Sequence, residues 1–194
     1  MAEPGSVEHA LAEAISSLLR AKRRFALVGG LAVSVRSEVR FTRDVDIAVQ
    51  VQSDADAESL VFELKVGGYQ PIATVEHDER HRLSTIRLLS PWGVKVDLMF
   101  ASCGIETEIV ERATNVALPH AGDVPVAQAE ELLAMKVLSM TERRLQDRID
   151  ALRLISCNPK LDLVRVRQNL QTIRGRGFDR GEDLEAKLTS VLTP

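Results

Sequence analysis

The hydrophobic period changes once along this 194-residue chain, and that change limits the folds open to it. Up to about residue 126, short apolar runs with strand character alternate with helical stretches. From Ala127 onward apolar residues recur only at helical spacing. An α+β front part (1–125) followed by a C-terminal helical region (126–194) is the expected organisation. Within the front part, Val7, Leu11, Ala14, Ile15, Leu18 and Leu19 share one helical face, which predicts a helix over 7–22 with the basic residues Arg20, Lys22, Arg23 and Arg24 clustered about its C-terminal end. Phe25 to Val28 reads as a short buried strand running into Gly29-Gly30, with a helix from Leu31 to Val35. Asp44 to Val51 is strand-like, with Val45, Ile47 and Val49 on one side. Ser53 caps a helix whose stripe is Leu60, Val61 and Leu64, ending at Gly67-Gly68. Residues 83–89 and 94–100 form an antiparallel pair about the Ser90-Pro-Trp-Gly93 turn. Helices are expected over 128–140, 142–155, 162–173 and 181–192, and the segment Gly175 to Gly181 reads as a mobile loop.

Composition removes several classes. No apolar run approaches the roughly 20 residues of a membrane span. The first residues lack the basic and apolar regions of a secretory leader, so a cytoplasmic location is expected. Cys103 and Cys157 stand far apart without metal-like spacing and read as buried or semi-buried thiols. One Trp and one Tyr supply no stacking platform for a single strand. The 25 Lys/Arg and 28 Asp/Glu are unevenly divided: 13 against 20 up to residue 133, and 12 against 8 after it. A basic helical part is compatible with a polyanionic partner and equally with helix-surface ion pairing.

The residues that carry chemistry are carboxylates. Asp44 and Asp46, two apart on one strand, project to the same side and repel each other. A divalent cation, Mg²⁺ in particular, relieves that repulsion with the help of substrate phosphate oxygens; exposed strand-edge acids are the plainer alternative. Asp97, between apolar neighbours in Val94 to Phe100, is costly to desolvate unpaired. On a strand beside Asp44 and Asp46 it completes the donor set of a two-metal site. Gly29-Gly30, at a helix start, offers backbone N–H groups for a triphosphate. Arg40 is a candidate to steer phosphate or pair with the acids, and Thr42 to fix the turn before the strand. Asp54 and Asp56 imitate the start of a calcium loop but lack its Gly and Glu, so capping accounts for them. His77 and His81 read as a solvated loop or helix face.

Gly29-Gly30-Leu31-Ala32, Arg40-x-Thr42-x-Asp44-x-Asp46 and Asp97 together resemble the polymerase β-type nucleotidyltransferase superfamily, and most its AbiEii/MenT-like toxin branch, over about residues 20 to 155. The resemblance implies a mixed β-sheet core followed by a helical bundle. It also implies Mg²⁺, or Mn²⁺ in its place, on Asp44, Asp46 and Asp97, and an NTP on Gly29 and Gly30. Leu31 stands where many superfamily members carry Ser, which removes a hydroxyl contact to phosphate. In the helical part, Lys136 on an apolar helix either snorkels to water or binds phosphate. On the next helix Leu145, Ile149 and Leu152 share a face, turning Arg143, Asp147 and Asp150 to the opposite one, where Arg143 and Asp147 are spaced as a surface pair. The resemblance implies Lys136 as a triphosphate ligand and Asp147 as a polar site residue. The implied reaction moves a nucleoside monophosphate from an NTP to a tRNA, another RNA or a protein hydroxyl, opposed by a cognate antitoxin. Antibiotic nucleotidyltransferases of the aminoglycoside or lincosamide type and a non-catalytic nucleotide-binding module are the rival expectations.

Overall fold

The computed structural model describes residues 6–77 and 82–193, with the backbone alone for His77. The readings made on the first five residues and on His81 lie outside these residues. Seven strands form one mixed sheet in the order β3-β4-β5-β2-β1-β7-β6: β1 (Phe25–Val28), β2 (Asp44–Val49), β3 (Gln70–His77), β4 (Arg82–Leu89), β5 (Lys95–Met99), β6 (Thr114–Leu118) and β7 (Gly122–Val126). Helices α1 (Val7–Arg20), α2 (Gly29–Arg36), α3 (Asp54–Val66) and α4 (Glu106–Arg112) lie among the strands. Helices α5 (Ala129–Ser139), α6 (Leu145–Cys157), α7 (Leu163–Gly175) and α8 (Leu184–Leu192) follow them.

The alternation of β2 organises the centre. Val45, Ile47 and Val49 are buried, and α1 and α4 pack against this strand. The intervening Asp44 and Asp46 emerge on the other face. The pair at 83–89 and 94–100 forms as expected, with β4 antiparallel to β5. Three strands and one helix were not anticipated. Most described side chains of β3 and β6 are exposed, so neither shows the apolar alternation by which a half-buried strand is read. Helix α4 is a short element of seven residues. Among the described residues no helix is long and apolar enough to cross a membrane.

Two local expectations are corrected. The 175–181 segment is anchored at several points: Arg176 donates to both carboxylate oxygens of Glu108 at 2.6 and 3.0 Å and to the Gly104 carbonyl, and Phe178 is buried. Its ring lies against Gly104, which has φ +78° and where a Cβ would stand 2.5 Å from the ring. Cys103 is buried as expected, whereas Cys157, at the end of α6, is exposed.

Helix α6 is rotated relative to its sequence reading. Leu145 and Ile149 are 65% and 43% exposed, while Asp147, Asp150, Ala151 and Leu154 are buried. The acids turn inward because cations wait for them there: Lys136 from α5 and Arg40 from the loop before β2. Asp147 pairs with Lys136 and with Arg144 rather than with Arg143.

Candidate active site

The site is built on the parallel pairing of β2 with β5, in which Asp46 lies beside Asp97 and Asp44 beside Lys95. Side-chain alternation then places Asp44, Asp46 and Asp97 on one face of the sheet. Strand β4 contributes a residue the sequence reading missed. Arg87 lies opposite Asp97, and its Nε and Nη2 donate to the two carboxylate oxygens at 2.8 and 2.6 Å. This forked, charge-assisted pair answers the desolvation of Asp97, which is 6% exposed. Counting back from the Ser90 to Gly93 turn, with Leu89 opposite Lys95, would have placed Arg87 across from Asp97.

Asp46 lacks such a partner. Burial first, and then the neighbouring charge of Asp97, push its carboxyl up to about 6; Lys136 and a hydrogen bond from the Gly30 N–H pull the other way, and Asp44 adds to the rise. The Gly30 amide expected to cradle phosphate thus acts on the Asp46 carboxyl as well. Gly29, at φ +63°, makes the turn from β1 into α2, and a Cβ there would overlap the Asp46 carboxylate, coming within 2.5 Å of its Cγ. Gly29→Ala is expected to displace Asp46 and to lower kcat/KM on the order of 100-fold, the scale of a ~1 Å misplacement. Steady-state kinetics beside a melting curve of the same variant would check this; unchanged kinetics would refute it.

Behind these residues the helical part closes over the sheet. Lys136 is buried, with Nζ at 2.8 Å from both Asp147 Oδ1 and Asp150 Oδ2. Asp150, fully buried, also accepts from Arg40 Nη2 at 3.0 Å and from Gln146 Nε2 at 2.8 Å. Arg40 thus pairs with an acid, but with Asp150 rather than the strand carboxylates. Arg40 Nη2 and Thr42 Oγ1 lie 2.6 and 2.7 Å from where a Gly30 Cβ would stand, and the Thr42 hydroxyl reaches the Asp44 carbonyl at 3.5 Å.

A cleft of about 310 Å³ brings together Gly29, Asp46, Asp97, Lys136 and Asp147 with Arg87, Arg144 and Arg180. Gly30, Arg40, Thr42 and Asp44 stand next to it without lining it. Arg144 and Arg180 were also missed, since neither sits in a motif. Among the described residues no three His, Cys, Asp or Glu side chains are gathered into a ready metal cluster. The donor set nonetheless suits a hard divalent cation: three carboxylates share one face, and Asp46 carries a repulsion that a cation would relieve.

The model of one family, described as the nucleotidyl transferase AbiEii toxin of type IV toxin–antitoxin systems, matches residues 11–190. This chain belongs to the AbiEii family. It is a nucleotidyltransferase. Solved structures agree on the fold. An antigenic nucleotidyltransferase-like protein from Paracoccidioides brasiliensis superimposes with TM-score 0.52 at 19% identity, over 94% of this chain and 91% of that one. The lincosamide adenylyltransferase LnuA with lincomycin bound gives TM-score 0.52 at 16% identity, over 78% and 98%. The antibiotic-resistance factor ANT(2'')-Ia gives 0.51 at 14%, over 86% and 91%. No curated protein matches the chain. The expected α+β nucleotidyltransferase fold with a mixed sheet is thereby established for this AbiEii member.

Proposed function

We propose that the protein transfers a nucleoside monophosphate from an NTP to an acceptor hydroxyl in a reaction dependent on Mg²⁺, as a toxin whose acceptor is a tRNA, another RNA or a protein and whose action a cognate antitoxin restrains. The observation that carries this reading is the register of Asp46 beside Asp97, opening on a cleft whose edge at Gly29 has no side chain.

In this reading Asp44, Asp46 and Asp97 would hold Mg²⁺, or Mn²⁺ in its place. When bound, the cation neutralises phosphate charge. The oxygen of the acceptor forms a bond to the α-phosphorus as the bond to pyrophosphate breaks. Asp97 takes the hydroxyl proton, which requires Arg87 to loosen its hold on one of the two oxygens. Gly29 leaves room for phosphate beside Asp46. Lys136 places its charge near Asp46 while remaining tied to Asp147 and Asp150, so it acts on the triphosphate from within an ion cluster. The 1–125 part supplies the carboxylates on the sheet, and the 126–194 part supplies cations over them.

A polyanionic acceptor would meet the helical part at its unpaired cations. Among the described residues Arg143, Arg148, Lys160, Arg174 and Arg180 make no ion pair, whereas Lys136, Arg144, Arg153, Arg165, Arg167, Arg176 and Lys187 do. Among the same residues Glu142, Asp162, Asp179 and Asp183 make no ion pair either, and Arg153, Arg165 and Arg176 pair with Glu38, Glu130 and Glu108, which all precede residue 134, so much of the excess charge seen in the sequence is met within the molecule. Incubation with each labelled NTP, Mg²⁺ and total RNA is expected to label RNA, and omission of divalent cation to abolish the signal. Label appearing on an aminoglycoside or lincosamide alone would replace the toxin reading with the antibiotic one. Binding of NTP without any transfer would leave a non-catalytic module.

A further inference from the structure

We propose that Arg180 binds the pyrophosphate portion of the incoming NTP. The inference rests on the nucleotidyl-transfer reading and names a residue that no motif of the chain marks. Arg180 lines the same cleft as Asp46, Asp97 and Lys136, although it comes from the connection between α7 and α8.

The charge inventory of the cleft singles it out. Arg87 is committed to Asp97 through both carboxylate oxygens, Lys136 to Asp147 and Asp150, and Arg144 to Asp147. Arg180 has no carboxylate or hydrogen-bond partner among the described residues; the neighbour it acts on electrostatically is the Cys103 thiol. Among the described residues every other cation lining the cleft meets a bound anion with its charge already offset. Arg180 meets it with a full guanidinium fork, the donor geometry suited to two phosphate oxygens.

Local structure shows why the side chain stays there. Arg180 has φ +58°, a left-handed conformation that side chains other than glycine seldom take, and surrounding contacts must hold it. They do so on the N-terminal side, where Arg176 grips Glu108 and the Gly104 carbonyl and the Phe178 ring lies on Gly104. On the C-terminal side Asp183 caps α8 by accepting from the Ala186 N–H at 3.0 Å. An exposed cation is thus presented from a pinned loop, which lowers the ordering needed when an anion arrives.

The test uses inorganic pyrophosphate, which carries no base, together with each NTP and its NMP, titrated by calorimetry into wild type, Arg180→Gln and Arg180→Lys in Mg²⁺. Arg180→Gln is expected to weaken pyrophosphate and NTP by about 10- to 100-fold, leave NMP unchanged, and be partly restored by Lys. An exposed residue can be replaced without loss of fold, and melting curves of both variants check this. Pyrophosphate bound equally by wild type and Arg180→Gln would overturn the assignment, as would equal losses for NTP and NMP. Weaker RNA labelling with pyrophosphate affinity unchanged would overturn it in favour of an acceptor contact. If wild type transfers label while Arg180→Gln binds pyrophosphate normally, this inference alone falls. If wild type binds no nucleotide, the nucleotidyl-transfer reading of the cleft falls with it.

Discussion

Asp46→Asn is expected to abolish labelling, by at least a factor on the order of 10² to 10³, and at the same time to stabilise the protein at neutral and alkaline pH in the absence of divalent cation. The two effects share one cause. The Asp46 carboxyl is pushed up to about 6 in the folded protein from an ordinary value of 3.8, chiefly by burial and by the charge of Asp97. Folding therefore favours the protonated form, and the native state holds more proton than the unfolded chain between those two values. Stability falls as pH rises from about 4 through 6, and the penalty is complete above the folded value. A shift of this size corresponds to roughly 2 to 3 kcal/mol, or about 4 to 12 °C in melting temperature for a chain of this length. Asparagine keeps an acceptor for the Gly30 N–H and removes the ionisation. The stability difference between Asp46→Asn and wild type should be small at pH 4 and reach its full value by about pH 7. Denaturant titrations across that range check it, and a difference that stays flat with pH would show that folding does not oppose the Asp46 charge.

Lys136→Met is expected to have the larger structural effect. Nζ lies 2.8 Å from each of two carboxylates that are almost or wholly buried, and methionine would leave both without that cation. Breaking a buried ion cluster from one side costs about 3 to 5 kcal/mol, a large fraction of the margin of a typical domain. Arg40 continues to hold Asp150 and Arg144 continues to hold Asp147, so the loss should stop short of complete unfolding. Adding Asp147→Asn removes one of the two carboxylates that lose Lys136 and is expected to recover part of the stability, giving a coupling energy in a double-mutant cycle. The folded double variant then separates two roles. If NTP affinity returns with stability, Lys136 serves only to hold α5 to α6; if affinity stays low, its charge reaches the triphosphate.

The features legible in the sequence were those whose determinants are local. The β1, glycine pair and α2 succession, the alternation of β2 and the β4–β5 turn each occupy a few neighbouring residues. The orientation of α6 was not legible in this way. Its Leu145, Ile149 and Leu152 have the spacing of a buried stripe, yet Leu145 and Ile149 face outward. The deciding partners are Lys136 and Arg40, and Arg40 lies 110 residues from Asp150 along the chain. Asp44, Asp46 and Asp97 were nominated from their residue type and surroundings, and the β2–β5 register brings them to one face. Arg87 could be reached by counting across the hairpin. Arg180 could not, because its place in the cleft depends on Arg176 meeting Gly104, 72 residues earlier.

Those separations bear on how the molecule comes into being. Contacts between residues far apart in sequence require the closing of long loops and tend to form slowly. The carboxylates meet only when β5 pairs with β2, their counter-cations arrive only when α5 and α6 dock, and Arg180 follows with the turn before α8. A partly folded or partly synthesised chain holds individual parts of the cleft without their arrangement. Catalytic competence is therefore expected to appear with the last long-range closures of folding, so the interval of synthesis on the ribosome is one in which the cell is not exposed to the activity.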